Sequence, residues 1–225
     1  MIAFIAAERR ELRGLERHLT GVRRLKRPIL YAATGLLKCR PVVLAANGPG
    51  RRLVSAALRE LRVGPLDAVV SVGYCGALSC YLGACDLFIA TSVNGIATPR
   101  PRHTPVSAEG PLLTVDRVVT SIEEKRQLSR TGAEAVDMEA AELVEQAQNF
   151  KADFHCIRVI TDTAREGFSI DFNSVRDKQG RFSRARIVAQ ACRRPWKAFP
   201  ELIQLDQRCR SAARALGDFI ADCQF

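Results

Sequence analysis

Short apolar runs alternate along the chain with segments whose apolar positions recur at helical spacing. "IAFIAA" (2–7) predicts a buried strand and "ERRELRGLERHL" (8–19) a helix. "ILYAATG" (29–35) and "RPVVLAAN" (40–47) predict a strand pair joined around "LLKC". In 50–61, Leu53, Ala56, Ala57 and Leu61 mark one helix face, and "DAVVSVG" (67–73) and "CDLFIATSV" (85–93) predict strands. Residues 94–110, rich in Pro and polar side chains, read as a loop, and "PLLTVDRVV" (111–119) as a further strand. Ser121 followed by Glu124 forms a capping box that opens a helix over 121–130. "AEAV" leads into a helix over 138–150, and "DFHCIRVITD" (153–162) is a strand ending in an acid. The tail, 181–223, reads as two helices broken near Pro195 and Pro200. This alternation predicts an α/β fold. A single domain over 1–225 is expected, with a central, mostly parallel mixed twisted sheet flanked by helices and with basic C-terminal helices.

Composition narrows the setting. With 225 residues, 47% of them hydrophobic, the chain can bury one substantial core. The net charge of +10 fits an anionic partner or a solvated arginine-rich surface. The 8 cysteines are scattered, mostly inside apolar runs, and Cys75, Cys80 and Cys85 lack the paired spacing of a zinc site. The first residues carry their charges after the apolar run, the reverse of a secretory leader, so reduced thiols in a cytoplasmic protein are expected. No run approaches the ~20 apolar residues of a membrane span. No metal and no cofactor are expected, and nucleic acid is not expected as a partner, because charge alone marks no binding motif.

Candidate chemistry gathers where strands end, the edge at which open α/β sheets bind ligands. Glu11 lies just after the first strand, "NGPG" follows the strand ending at Ala46, and "GYCGAL" follows that of 67–72. Asp162 ends a strand, and Asp137 and Glu139 flank Met138 where a strand hands over to a helix. Each feature has a plainer reading. Acids favour helix starts, and glycine pairs make tight turns. Together, carboxylates at three places along the chain and two glycine turns suit a polar ligand.

In order along most of the chain, these pieces resemble the nucleoside phosphorylase and nucleosidase superfamily. "IAFIAAERREL", "NGPGRRLVSAAL" and "VVSVGYCGALSCYLGACDLFIATSV" resemble its first strand, glycine turn and central strands, "AVDMEAAEL" its Met-Glu motif, and "VITDTA" its Ser/Thr-Asp motif. The resemblance implies cleavage of the N-glycosidic bond of a purine nucleoside or adenosyl compound. Under it Glu139 holds the ribose hydroxyls, Met138 packs on sugar and base, and Asp162 faces purine N7. Glu11 serves the attacking water, and Gly73, Tyr74, Val118 and Val119 fall at substrate-contacting positions.

The departures bear on the acceptor. Ser71 stands where some phosphorylases carry a phosphate-binding arginine, and Tyr74 where many members have Ser or Thr. Phosphate needs concentrated donors and positive charge, which this turn does not supply, so water is favoured; Arg9, Arg10, Arg51 and Arg52 are the candidate substitutes, and phosphate remains the alternative co-substrate. Val118 and Val119 supply no aromatic for base stacking. That loss and Tyr74 motivate a second reading, a nucleoside-binding protein without turnover. The short stretch between Val93 and Leu112, with "GPLLTVDRVV", "EKRQL" and "RRPWKAFPELIQL", is similar to a compact branch named hopanoid-associated phosphorylase. That branch implies an adenosyl-polyterpenoid substrate, and the superfamily implies a homo-oligomer. From Arg181 to Phe225 nine basic residues stand against four acidic, with Trp196 and Phe199 among them. Peripheral contact with an anionic membrane is the functional reading of this tail. Helices packed on the core with a solvated basic face are the plainer one.

Overall fold

The computed structural model describes residues 1–61, 64–102, 104–177 and 179–225. The elements in chain order are β1 (Ile2–Ala6), α1 (Arg9–Glu16), β2 (Leu19–Arg24), β3 (Tyr31–Leu37), β4 (Arg40–Ala46), α2 (Arg51–Leu61), β5 (Ala68–Ala77) and β6 (Leu87–Val93). They continue with β7 (Ile96–Ala97), β8 (Ala108–Thr114), α3 (Ile122–Ser129), β9 (Ala135–Asp137), α4 (Ala140–Asn149), β10 (Asp153–Asp162), α5 (Arg184–Ala191) and α6 (Pro195–Asp222).

The α/β class is as expected: one mixed sheet carries helices on both faces. Its order is β10-β6-β8-β9-β5-β1-β4-β3-β2. β1 lies parallel to β4 and β5, and β5 parallel to β10, which form the centre. The "mostly parallel" expectation holds there and fails at the periphery, where β2–β3, β3–β4, β5–β9, β6–β10 and β6–β7 are antiparallel. The additional β10–β5 pairing curls one half of the sheet into a closed ring of β5, β9, β8, β6 and β10.

Alternation along the strands divides the core. Ala3, Ile5, Val43, Ala45 and Val69 pack with α2 and α4 residues such as Leu58 and Leu143. Ile2, Phe4, Val42, Leu44 and Val70 pack on the opposite face with Leu12 and Leu15 of α1 and Leu216 and Phe219 of α6. α1 and α6 approach closely because two glycines meet. A Cβ on Gly217 would lie 2.1 Å from the backbone carbon of Gly14.

Several boundaries differ from the sequence reading, each for a physical reason. β2 lies in the stretch 19–24, assigned no strand, because "LTGVRR" is exposed at every position but Leu19 and offers no apolar alternation. The predicted turn "GYCGAL" is largely strand, since β5 runs through Ala77 with β10 beside it. The strand placed at 111–119 begins earlier and ends at Thr114, and the expected loop before it holds β7. The tail helices break at 192–194, next to Pro195 as expected, and do not break at Pro200. Pro195 begins α6 at a position where no intrahelical N–H is needed, and Pro200 is carried inside the helix. Ser121 caps α3 as read, accepting from Glu124 N at 3.1 Å, while the Glu124 carboxylate turns to Arg117.

Candidate active site

The strand ends and helix starts converge on one cavity of about 780 Å³, bordered by Glu11, Tyr74, Val118, Val119, Met138, Glu139 and Asp162. Gly73 does not border it. Its Cα backs the Glu11 carboxylate, and a Cβ there would sit 3.1 Å from Glu11 Oε2. Gly76 does the same for the other acid, for a Cβ would lie 2.8 Å from Asp162 Oδ2. Both glycines of "GYCGA" therefore clear room for a carboxylate from a neighbouring element, instead of shaping a turn.

Glu11 stands in the first turn of α1. Its Oε2 accepts from the backbone N–H groups of Ala7 at 2.9 Å and Glu8 at 3.1 Å, which aims the carboxyl back over the end of β1. Burial and the nearby Glu8 push its pKa up to about 8. Glu139 precedes the first residue of α4 without capping it. That work falls to Asp137, whose Oδ2 accepts from Ala140 N at 3.0 Å. Glu139 Oε1 instead accepts from Gly50 N at 2.8 Å, tying the "NGPG" turn to the site, with Gly50 at φ 94°. Burial and the neighbouring Asp137 raise the Glu139 pKa to about 7.

Asp137 answers for its own presence differently. It is fully enclosed and holds Arg158 of β10 at 2.5 Å while accepting from Thr114 Oγ1 at 2.6 Å. Arg158 in turn donates to Ser71 Oγ at 2.8 Å. Ser71 is thus spent on the core and faces no ligand. Of the arginines proposed for phosphate, Arg10 alone borders the cavity, where it pairs with Glu8 at 2.6 Å. Arg9 turns to Glu16, Arg51 to Asp116 and Arg52 to the carbonyl of Gln179. Exposed Arg13, Arg17, Arg210 and Arg214 lie on the cavity rim.

Asp162, at the end of β10, is 8% exposed, and its Oδ1 accepts from Thr161 Oγ1 at 3.0 Å. Burial raises its pKa, and Lys125 pulls the other way. Lys125 donates to Asp162 Oδ2 at 2.5 Å and to the Thr163 carbonyl at 2.7 Å. Sequence reasoning missed this residue, since "IEEKRQLS" reads as a solvated helix. Tyr74 donates to the Cys209 carbonyl at 2.8 Å, joining β5 to α6 at the cavity wall. Burial raises its phenol pKa.

The aromatic surface missing at Val118 and Val119 comes from elsewhere. Phe168, Phe172 and Phe182 border the cavity in edge-to-face contacts, with ring centroids 5.3 Å and 6.0 Å apart. Asn173 fixes the strand exit, accepting from Val118 N at 2.8 Å and donating to its carbonyl at 2.9 Å. Met138 Sδ lies 3.2 Å from Arg176. Among the described residues no cluster of three or more His, Cys, Asp or Glu could hold a metal.

Residues 96–192 match the family model described as the phosphorylase superfamily. A 5'-methylthioadenosine/S-adenosylhomocysteine nucleosidase of Staphylococcus aureus (strain bovine RF122 / ET3-1) is 24% identical in a 213-residue alignment covering 79% of this chain and 93% of the relative. The nucleosidase of the same name from Neisseria meningitidis, solved with methylthio-immucillin-A, superposes with a TM-score of 0.69 at 20% identity, covering 98% of this chain and 96% of that one. A futalosine hydrolase mutant of Helicobacter pylori superposes with a TM-score of 0.68 at 17% identity, over 98% of this chain and 96% of that one. Residues 96–192 are thus similar to the phosphorylase superfamily, and over nearly its whole length the chain shares the fold of these solved nucleosidases.

Proposed function

We propose that the protein, acting as one nucleoside phosphorylase-like unit over 1–225, hydrolyses the N-glycosidic bond of an adenine nucleoside or adenosyl compound. The observation that carries this reading is the meeting of Glu11, Glu139 and Asp162, from three separate parts of the chain, on a single cavity. Its volume of about 780 Å³ is ample for a nucleoside with a substituent. Glu139, held by Gly50 N–H, presents a carboxylate for paired ribose hydroxyls. Asp162 shares a proton with N7 as the bonding pair passes from C1′ to the purine. Glu11 takes a proton from the attacking water, a task that suits a carboxyl raised toward neutral pH. The phenylalanines supply the base wall, and Met138 packs beneath the sugar.

Water is favoured over phosphate because Ser71 is committed to Arg158 and three of the four candidate arginines are paired away from the cavity. Incubation with adenosyl compounds, reading free adenine against phosphate, tests this. Equal release with and without phosphate is expected. Release that requires phosphate would replace hydrolysis by phosphorolysis. Binding without release, unchanged by Asp162→Asn, would leave a nucleoside-binding protein.

The finer substrate is an adenosyl compound with a bulky apolar 5′ group, such as an adenosyl-polyterpenoid. The cavity extends along Phe182, Ile187, Leu202 and Leu205, where such a group would lie. On the outer side of α6, Trp196, Phe199 and Ile203 are 79%, 38% and 59% exposed, among basic residues, and suit peripheral contact with an anionic membrane. Flotation with anionic vesicles, expected to carry the protein upward, fails if the protein stays in the dense fraction. Assembly into a homo-oligomer belongs to the same proposal and is read by light scattering.

A further inference from the structure

Among the residues assigned to α3, Lys125 is the buried one, and it is 0% exposed. A lysine is almost never enclosed completely without a partner, because stripping an ammonium of water costs several kcal/mol. Two of its three N–H bonds go to Asp162 Oδ2 and the Thr163 carbonyl. Its Nζ also lies 5.9 Å from the centroid of the Phe168 ring. Lys125 does not border the cavity, so it stands behind Asp162 and reaches a ligand only through that carboxylate.

The remaining groups around the pair leave this ammonium as the cation in direct contact with Asp162. Gly76 of β5 faces it with no side chain, and Thr161 offers a hydroxyl. Glu166 on the following segment is met by a fork of two 2.8 Å bonds from Arg208 of α6, and its Oε2 also accepts from Thr163 N at 2.9 Å. The segment that offers its carbonyl to Lys125 is thereby fixed from the other side.

We propose that Lys125 is a positioning residue that keeps Asp162 ionised and aimed into the cavity, so that the site prefers a purine whose N7 carries a proton. This rests on the purine reading of the cavity. An ionised carboxylate accepts from an N7–H, whereas a neutral carboxyl donates to an N7 lone pair. The two states therefore discriminate between 9-deazaadenine, which carries N7–H, and adenine, which in its main tautomer does not. During turnover the N7 proton comes from solvent, and Asp162 holds it on N7 while the bonding pair passes from C1′ to the purine, which makes the base a better leaving group.

Calorimetric titration of both purines into wild type, K125M and K125R tests the assignment. Wild type is expected to favour 9-deazaadenine at least tenfold, K125M to lose most of that preference, and K125R, which keeps the charge, to retain it. D162N should abolish the preference with or without Lys125. An equal preference in folded K125M and wild type overturns the proposal, and a merely structural lysine would change the melting temperature without moving the ratio. Carboxyl carbon NMR of unliganded wild type, with the Asp162 signal identified by its loss in D162N, needs no folded lysine variant. A carboxylate shift at pH 7 supports the pairing and a carboxylic-acid shift overturns it. Failure of wild type to bind either purine would sink the purine reading, while the ligand-free NMR would still report on the pair.

Discussion

Glu11→Gln should make the protein more stable at alkaline pH. Glu11 is 6% exposed, and its carboxyl titrates near 8 in place of 4.5 because burial and Glu8 disfavour its charge. Between those values the folded chain binds a proton that the unfolded chain has released, so stability falls as pH rises. At ~1.4 kcal/mol per tenfold change, the displacement from 4.5 to about 8 corresponds to an upper limit of about 5 kcal/mol, present below pH 4.5 and lost by pH 8. Glutamine keeps an oxygen to accept from Ala7 N and Glu8 N but cannot ionise. Urea unfolding of both proteins from about pH 5 to 9 isolates the effect, since other titrating groups largely cancel in the difference. The variant should gain several kcal/mol relative to wild type across that range. A difference that stays within about 1 kcal/mol throughout would refute the argument that the enclosed carboxyl is held against its preferred charge state.

Four further outcomes follow from the same geometry. If Glu11 activates water, kcat/KM for adenine release should rise with pH through a limb near 8, and a flat profile would remove it as the base. Asp137→Ala strands the enclosed Arg158 guanidinium and should cost about 3–5 kcal/mol in denaturant unfolding. Gly76→Ala puts a methyl 2.8 Å from Asp162 Oδ2, too close for the carboxylate to stay where it is, so adenine affinity should fall at least tenfold while circular dichroism stays native. Gly217→Ala forces α6 away from α1 and should destabilise by about 1–3 kcal/mol or more, because the obstacle is backbone. Unchanged melting of that variant would deny the close helix contact.

Much of this protein was legible in its residues. The apolar runs of β1, β4 and β10 and the spacing in α2 are buried patterns, and burial leaves a periodic trace. Glu11, Glu139 and Asp162 stood out because an acid beside an apolar strand is conspicuous. Local sequence did not separate Asp137, locked to Arg158, from Glu139 two residues later, open to the cavity. Both are acids at one helix start, and only the placement of β10 and the 47–50 turn divides their roles. Nor could it show that Gly73 and Gly76 make way for carboxylates, since their space is defined by α1 and by the far end of β10. Phe168, Phe172 and Phe182 came to border the cavity, and Lys125 became an enclosed cation, through contacts remote in sequence. Residue order determines which segments bury an apolar face. Which polar group then meets which depends on how those faces stack, and that is decided when the sheet curls and the helices close over it.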